Sequence, residues 1–198
     1  MSDVRAKAGS ACGVTCLADR AAGKALLEDL GHPEGRVDIL VTNLAWFCEE
    51  SYRKALCKSV AGNAAVRVLT LDPQSVFVSY RATQLGLQTS RFRNEMDRSL
   101  DKLHTALFEA WHGAKGSGPE NDGYPNFEIR TYDDFPTQIT VTVNDKVYVS
   151  TVARASRSRR LCTFVCGVSD PGVERSFLFH FDTLWVIAKP YRPYTPSK

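Results

Sequence analysis

With 198 residues, 43% hydrophobic and 24% charged, the chain is long enough for one well-buried core and for little beyond it. Its 25 basic residues against 22 acidic ones leave a net charge of +3, so no global field argues for nucleic acid or an anionic membrane, and any basic site has to be local. No run approaches the roughly 18 apolar residues of a membrane span, and the opening MSDVRAKAGSACG lacks the apolar core of a secretory signal, so a cytoplasmic protein with no membrane partner is expected.

Residues 15–30, TCLADRAAGKALLEDL, set Leu17, Ala21, Leu27 and Leu30 on one helical face, and Gly31-His32-Pro33 ends the helix. Residues 1–36 therefore read as an N-terminal helical extension in front of a main unit at 37–189. VDILVTNL at 37–44 is short, apolar and rich in β-branched residues, which marks a buried strand. Residues 49–60 follow as a helix, with acidic residues in its first turn and Gly62-Asn63 after its last. VRVLTL at 66–71 is the next strand, closed by Asp72-Pro73.

Strand, helix and strand within about 35 residues form a βαβ unit, which requires a right-handed crossover and a parallel strand pair. Ligands of such sheets gather beyond the carboxyl ends of the strands. That rule singles out Asn43 and Asp72, although both residue types also serve as ordinary helix caps. No Gly-x-Gly-x-x-Gly follows the first strand, which weighs against a dinucleotide-binding Rossmann unit.

Past Pro73, residues 76–85 form a short helix ending at Gly86. Residues 92–111 form a long one whose Phe92, Met96, Leu100, Leu103, Leu107 and Trp111 make one core-facing stripe. The stretch 113–126, GAKGSGPENDGYPN, is a loop by composition, with a lid over a site as the functional alternative. FEIRTY at 127–132, QITVTV at 138–143 and KVYVST at 146–151 are strands. The last two join as a hairpin through Asn144-Asp145, residues that tolerate the positive φ of a tight turn. The pleat puts Gln138, Thr140 and Thr142 on one face, and that polar face is a candidate site lining. A final helix opens at Asp170-Pro171 and stops before Pro190. The 190–198 tail, with its YRPYTP segment, is extended, with docking on a partner subunit as one reading.

Six cysteines are spread through a chain too long to need stapling and read as free thiols. Two C-x3-C pairs, Cys12/Cys16 and Cys162/Cys166, admit a zinc reading if their segments meet in space. Cysteine packing as a small hydrophobe on a strand is the commoner role, so neither metal nor cofactor is expected. Arg154, Arg157, Arg159 and Arg160, in RASRSRR, are the one local concentration of charge, and guanidinium forks match phosphate geometry. The alternative is a solvated loop between strands, and no interleaved aromatics support base stacking. His180 sits at the margin of the apolar face of the last helix, a place for a partly buried structural histidine; His104 and His112 read as solvated, and His32 lies in a turn.

The order of βαβ unit, long helix, hairpin, strand and final helix resembles one half of a phospholipase D-like domain over roughly 37–188. The most specific matches are V-R-V-L-T-L-D-P at 66–73, the hairpin at 138–151, and Phe177-x3-Phe181-x2-Leu184-Trp185. The chain is similar in particular to degenerate phospholipase D-like domains of bacterial proteins, which are sometimes fused behind helix-turn-helix regulators; no such regulator is recognisable here. The resemblance implies an α/β fold with a mixed β-sheet flanked by helices.

In active members of that superfamily a His-x-Lys-x4-Asp motif supplies the nucleophilic histidine, a lysine on the phosphate oxygens and an aspartate that orients a histidine, and two motifs meet across one site. This chain carries Gln138-x-Thr140-x4-Asp145 in that frame. Glutamine offers no nucleophile at neutral pH and threonine no positive charge, so covalent catalysis and phosphate neutralisation are both lost there. The expectation is a catalytically degenerate domain, a homodimer, that binds a phosphorylated small molecule, a nucleic acid or a partner protein through Gln138, Thr140, Asp145, Asn43 and the four arginines. The alternative is a divergent phosphodiesterase or nuclease using Asp145, Asp72 and His180.

Overall fold

The computed structural model describes residues 14–17, 19–115, 125–151, 163–167 and 171–193. In chain order these form β1 (Val14–Leu17), α1 (Asp19–Gly31), β2 (Arg36–Val41), α2 (Glu50–Ala61), β3 (Ala65–Leu71), α3 (Val76–Leu85) and α4 (Thr89–Lys115). There follow β4 (Phe127–Tyr132), β5 (Gln138–Val143), β6 (Lys146–Thr151), β7 (Thr163–Gly167), α5 (Pro171–Ile187) and β8 (Lys189–Pro190). The strands make one mixed sheet in the order β1-β7-β6-β5-β2-β3-β4-β8. β2, β3 and β4 are parallel, as a βαβ unit demands, whereas β5, β6, β7 and β1 continue the sheet antiparallel.

Alternation of side chains divides the sheet into two packed faces. Val37, Ile39, Val41, Val66, Val68, Phe127, Ile129, Val141 and Val143 point to the face covered by α1, α2 and α4, where Leu26, Leu30, Leu56, Leu100, Leu103 and Leu107 complete the core. Leu40, Leu69, Leu71 and Tyr132 point to the other face and pack with Phe92 and Met96 of α4 and with Phe181 and Leu184 of α5. The expected stripe of the long helix is therefore core, shared between both clusters. Coverage on both faces explains why β2 and β3 are buried along most of their length and carry apolar residues on both sides, with Asp38 and Arg67 paired where they interrupt the run.

Local chemistry sets the helix ends. α3 starts at Ser75, whose side chain accepts from Phe77 N (3.1 Å), and stops at Gly86 in the left-handed region (φ 64°), with Leu87 N donating to Ala82 O. After α2 the left-handed residue is Asn63 (φ 71°), not Gly62 (φ −80°). In the β5–β6 hairpin only Asn144, the first of the two turn residues, has positive φ (56°). Its side chain accepts from Glu34 N (2.6 Å), tying the turn to the start of β2.

Two expectations need correction. The first helix begins at Asp19, because residues 14–17 form a short edge strand on β7, a partner some 150 positions away and so without a local signature. Leu26 and Leu30 of α1 pack in the main core. Finally, Pro190 belongs to β8, paired with β4, and Tyr191 donates its N–H to Ile129 O and its hydroxyl to Asp101, so the first tail residues are fastened to their own chain.

Candidate functional site at the carboxyl edge of the sheet

The parallel strands β2, β3 and β4 end together at Val41, Leu71 and Tyr132. Antiparallel pairing brings three more strand ends to the same edge: Gln138, where β5 starts, Thr151, where β6 ends, and Thr163, where β7 starts. This edge therefore gathers Asn43, Asp72 and Gln138 from three separate elements. Arg154, Arg157, Arg159 and Arg160 lie outside the described residues, but the strands on either side of them, ending at Thr151 and beginning at Thr163, both open here.

Each edge residue has a local task. Asn43 Oδ1 accepts from Ala45 N (2.6 Å) and shapes the β2–α2 connection. Asp72 Oδ1 accepts from Gln74 N (2.8 Å), and the Asp72 N–H donates to Tyr132 O, so that carboxylate holds the turn into α3. Neither residue caps a helix, because α2 begins after Glu49 and α3 is capped by Ser75; both instead shape turns, and each carboxylate or amide retains further acceptor capacity. Between them lies a residue that sequence reasoning missed. Thr42 is 5% exposed, and its Oγ1 is buried with no hydrogen-bond partner among the described residues. Buried hydroxyls are usually hydrogen-bonded, so an orphan of this kind is a candidate for a water or ligand contact. The only signal was its position, one residue before Asn43 at the end of an apolar strand.

The three motif positions separate. Gln138 is half-buried at the edge. Thr140 is 3% exposed, set in register between Leu40 and Val149. Those two neighbours pack with Phe181 and Phe177 of α5, so Thr140 lies under an apolar helix. Asp145 is exposed in the hairpin turn beside the start of β2, a full strand length of roughly 17 Å from Gln138. His180 is half-buried on α5, next to the buried Phe181. No hydrogen bond or ion pair joins Asp72, Asp145 and His180, and sheet pairing puts Asp72 and Asp145 at opposite edges. The loop considered as a lid joins α4 to the amino-edge start of β4, and its residues 116–124, with the lid reading, lie outside the described residues.

The face under α5 carries a charge network that holds that helix in place. Asp38, its side chain 1% exposed, takes a two-point grip from Arg67 (2.7 and 2.9 Å) and a third bond from Arg36 (3.0 Å). Arg67 reaches on to Asp182 of α5 (2.9 Å) and lies over the rings of Phe181 and Trp185. Burial works against the Arg67 charge, yet the two carboxylates hold its pKa above the usual value. Arg130 stacks on the same Trp185 ring at 4.4 Å and donates to its carbonyl.

The cysteines follow the packing reading where they are described. Cys48 and Cys57 form no disulfide, Cys166 is buried on β7, and burial pushes the Cys48 and Cys57 thiols up, away from thiolate chemistry. β1 and β7 do bring the two C-x3-C segments side by side, with Val14 opposite Cys166 and Cys16 opposite Phe164. Cys12 and Cys162 fall outside the described residues, so the zinc reading lies there too; among the described residues no group of three His, Cys, Asp or Glu side chains is placed to hold a metal ion.

Comparison of the whole architecture with solved structures decides the fold. Nuc from Salmonella typhimurium, a phospholipase D family member, superposes with a TM-score of 0.52 over 90% of this chain and 97% of its own, at 12% identity. The fold is phospholipase D-like. NucT from Helicobacter pylori matches with a TM-score of 0.52 at 8% identity, over 90% of this chain and 98% of its own. TrmBL2, an archaeal chromatin protein with a novel mode of DNA binding, matches with a TM-score of 0.51 at 13% identity, over 92% of this chain and 56% of its own. No protein-family model and no curated protein matches the sequence. In the phospholipase D-like frame the Gln138 hairpin occupies the middle of the sheet. No helix among the described residues is long and apolar enough to cross a membrane.

Proposed function

We propose that this phospholipase D-like domain binds a phosphorylated ligand, a nucleotide or a nucleic acid, at the carboxyl edge of its sheet without cleaving it. The observation that carries the reading is the convergence of Asn43, Gln138 and the orphan Thr42 hydroxyl on an edge from which both ends of the arginine-rich 152–162 segment depart. Arginine forks and neutral donors suit a phosphate, and the absence of an imidazole at Gln138 removes the attacking group. DNA binding by TrmBL2, on the same fold, agrees with a nucleic-acid ligand. The alternative, a phosphodiesterase built on Asp145, Asp72 and His180, is disfavoured by the placement of the two aspartates at opposite edges.

A homodimer is part of the proposal. Val76, Tyr80 and Phe135 are 74%, 45% and 44% exposed close to the same edge, where Phe135 packs edge-on against Phe77, and exposed apolar surface of this kind suits a second copy. A generic phosphodiester tests the chemistry: no turnover is expected, and turnover that disappears in Asp145→Ala would establish the enzyme instead. Arg159→Ala is expected to weaken ligand binding.

A further inference from the structure

A groove runs along α4, bounded on its other side by the β2–α2 connection and by Arg53 at the start of α2. Its more enclosed part, about 610 Å³, begins at Ala45 and Cys48, in the loop that follows Asn43, and is walled by Arg91, Asn94, Arg98 and Lys102 of α4. It continues past Arg98 and Lys102 into a second stretch of about 520 Å³, bounded by Arg53 of α2. Arg91, Arg98 and Lys102 are all exposed, and none makes an ion pair among the described residues. Arg53 spends one Nη1–H on the Cys48 carbonyl (3.2 Å) and keeps the rest of its fork. The opposing charges are Glu95 in the first part and Asp101 and Glu109 in the second, and Asp101 already accepts the Tyr191 hydroxyl.

The spacing is informative. Positions 91, 98 and 102 share one side of α4 and, at 1.5 Å per residue, span about 16 Å, which covers several successive phosphates of one strand. Ser90 and Asn94 add hydrogen-bonding groups on the same wall. No large exposed apolar side chain lines the enclosed part, so the aromatic or aliphatic anchors that a protein partner requires are missing.

We propose that this groove is a track for a single strand of nucleic acid, with Arg91, Arg98 and Lys102 each neutralising a backbone phosphate. The proposal rests on the phosphate-binding reading above and narrows its ligand from a phosphorylated molecule in general to a strand carrying several phosphates, because the groove starts two residues beyond Asn43 of the carboxyl edge.

Fluorescence anisotropy of the full chain with a labelled twelve-nucleotide oligothymidylate tests it. Arg98→Ala/Lys102→Ala changes two exposed residues and keeps the fold, which a melting curve verifies. Its affinity is expected to fall at least tenfold, with the slope of log K against log salt shallower by about 1.4, the value for two lost contacts to a single strand. Lys24→Ala, on α1, is expected to bind as the parent does. Absence of binding by the parent, or equal affinity and slope in the double variant, overturns the proposal. Displacement by polyglutamate as effective as by unlabelled oligonucleotide overturns the nucleic-acid assignment. The edge reading fails separately: if Asn43→Ala and Gln138→Ala leave mononucleotide binding unchanged, that reading falls, whereas the groove is judged by Arg98 and Lys102 alone.

Discussion

Thr140 shows how one side chain fixes what the frame can still do. Polar alternation in β5 identifies the face on which it lies, but not the helix that returns from 171–187 to cover it. A lysine at this position is therefore not a neutral change. Thr140→Lys would place an ammonium between Leu40 and Val149, where desolvation outweighs any partner, and is expected to lower stability by several kcal/mol, read as a fall in the urea midpoint. A variant as stable as the parent would show the position to be open. His104 gives a pH-dependent counterpart. Its ring packs edge-on against Phe127 and Tyr191, and burial pushes its pKa below 6.5, with Asp101 partly opposing. The unfolded chain then takes up the proton more readily than the folded one, so this residue withdraws stability as pH falls through and below about 6.5. Between pH 7.5 and 5.5 the parent should lose more melting temperature than His104→Phe, and equal losses would contradict the burial.

Among elements, α5 depends most on charges that periodicity does not reveal. Its apolar face, Phe177, Phe181 and Leu184, is legible as a helical stripe, and so is its stop before Pro190. That Arg67 on β3 would reach both Asp38 on β2 and Asp182 on α5 is not, because the three residues meet only through sheet register and helix docking. Arg67→Ala leaves Asp38 with Arg36 alone in a nearly dry site and is expected to cost about 3 kcal/mol. Replacing the pair together, as Asp38→Leu/Arg67→Met, should cost less than the single change, because no buried charge is then left unmatched. Thermal melts decide, and a double variant worse than Arg67→Ala would refute this account of the docking. The β5–β6 hairpin and the β2–α2–β3 unit were legible in detail because their signals are local: alternation, β-branched runs, and the turn residues Asn144 and Asn63. β1 and β8 were not, since strands of four and two residues owe their existence to distant partners.

Across the whole molecule, the mixed sheet turns scattered sequence positions into one edge and separates others that the motif had joined. Asn43, Asp72 and Gln138 lie on strand ends that pairing aligns, while Asp145, seven positions from Gln138 in sequence, is carried to the opposite edge by the length of β5. Sequence alone supplied the Gln138-x-Thr140-x4-Asp145 spacing and, through the resemblance, the proposal that an imidazole and an ammonium are missing from it. Strand order was needed to say which residues share the carboxyl edge, and the orphan Thr42 hydroxyl emerged only with packing. The carboxyl edge as a phosphate-binding site is most directly tested by titration calorimetry of the full chain with nucleotides and short DNA and RNA. Saturable heat with at least one phosphorylated ligand, greatly reduced in Asn43→Ala and Gln138→Ala, is the predicted result. Silence from every ligand, or identical heats in those variants, would contradict it.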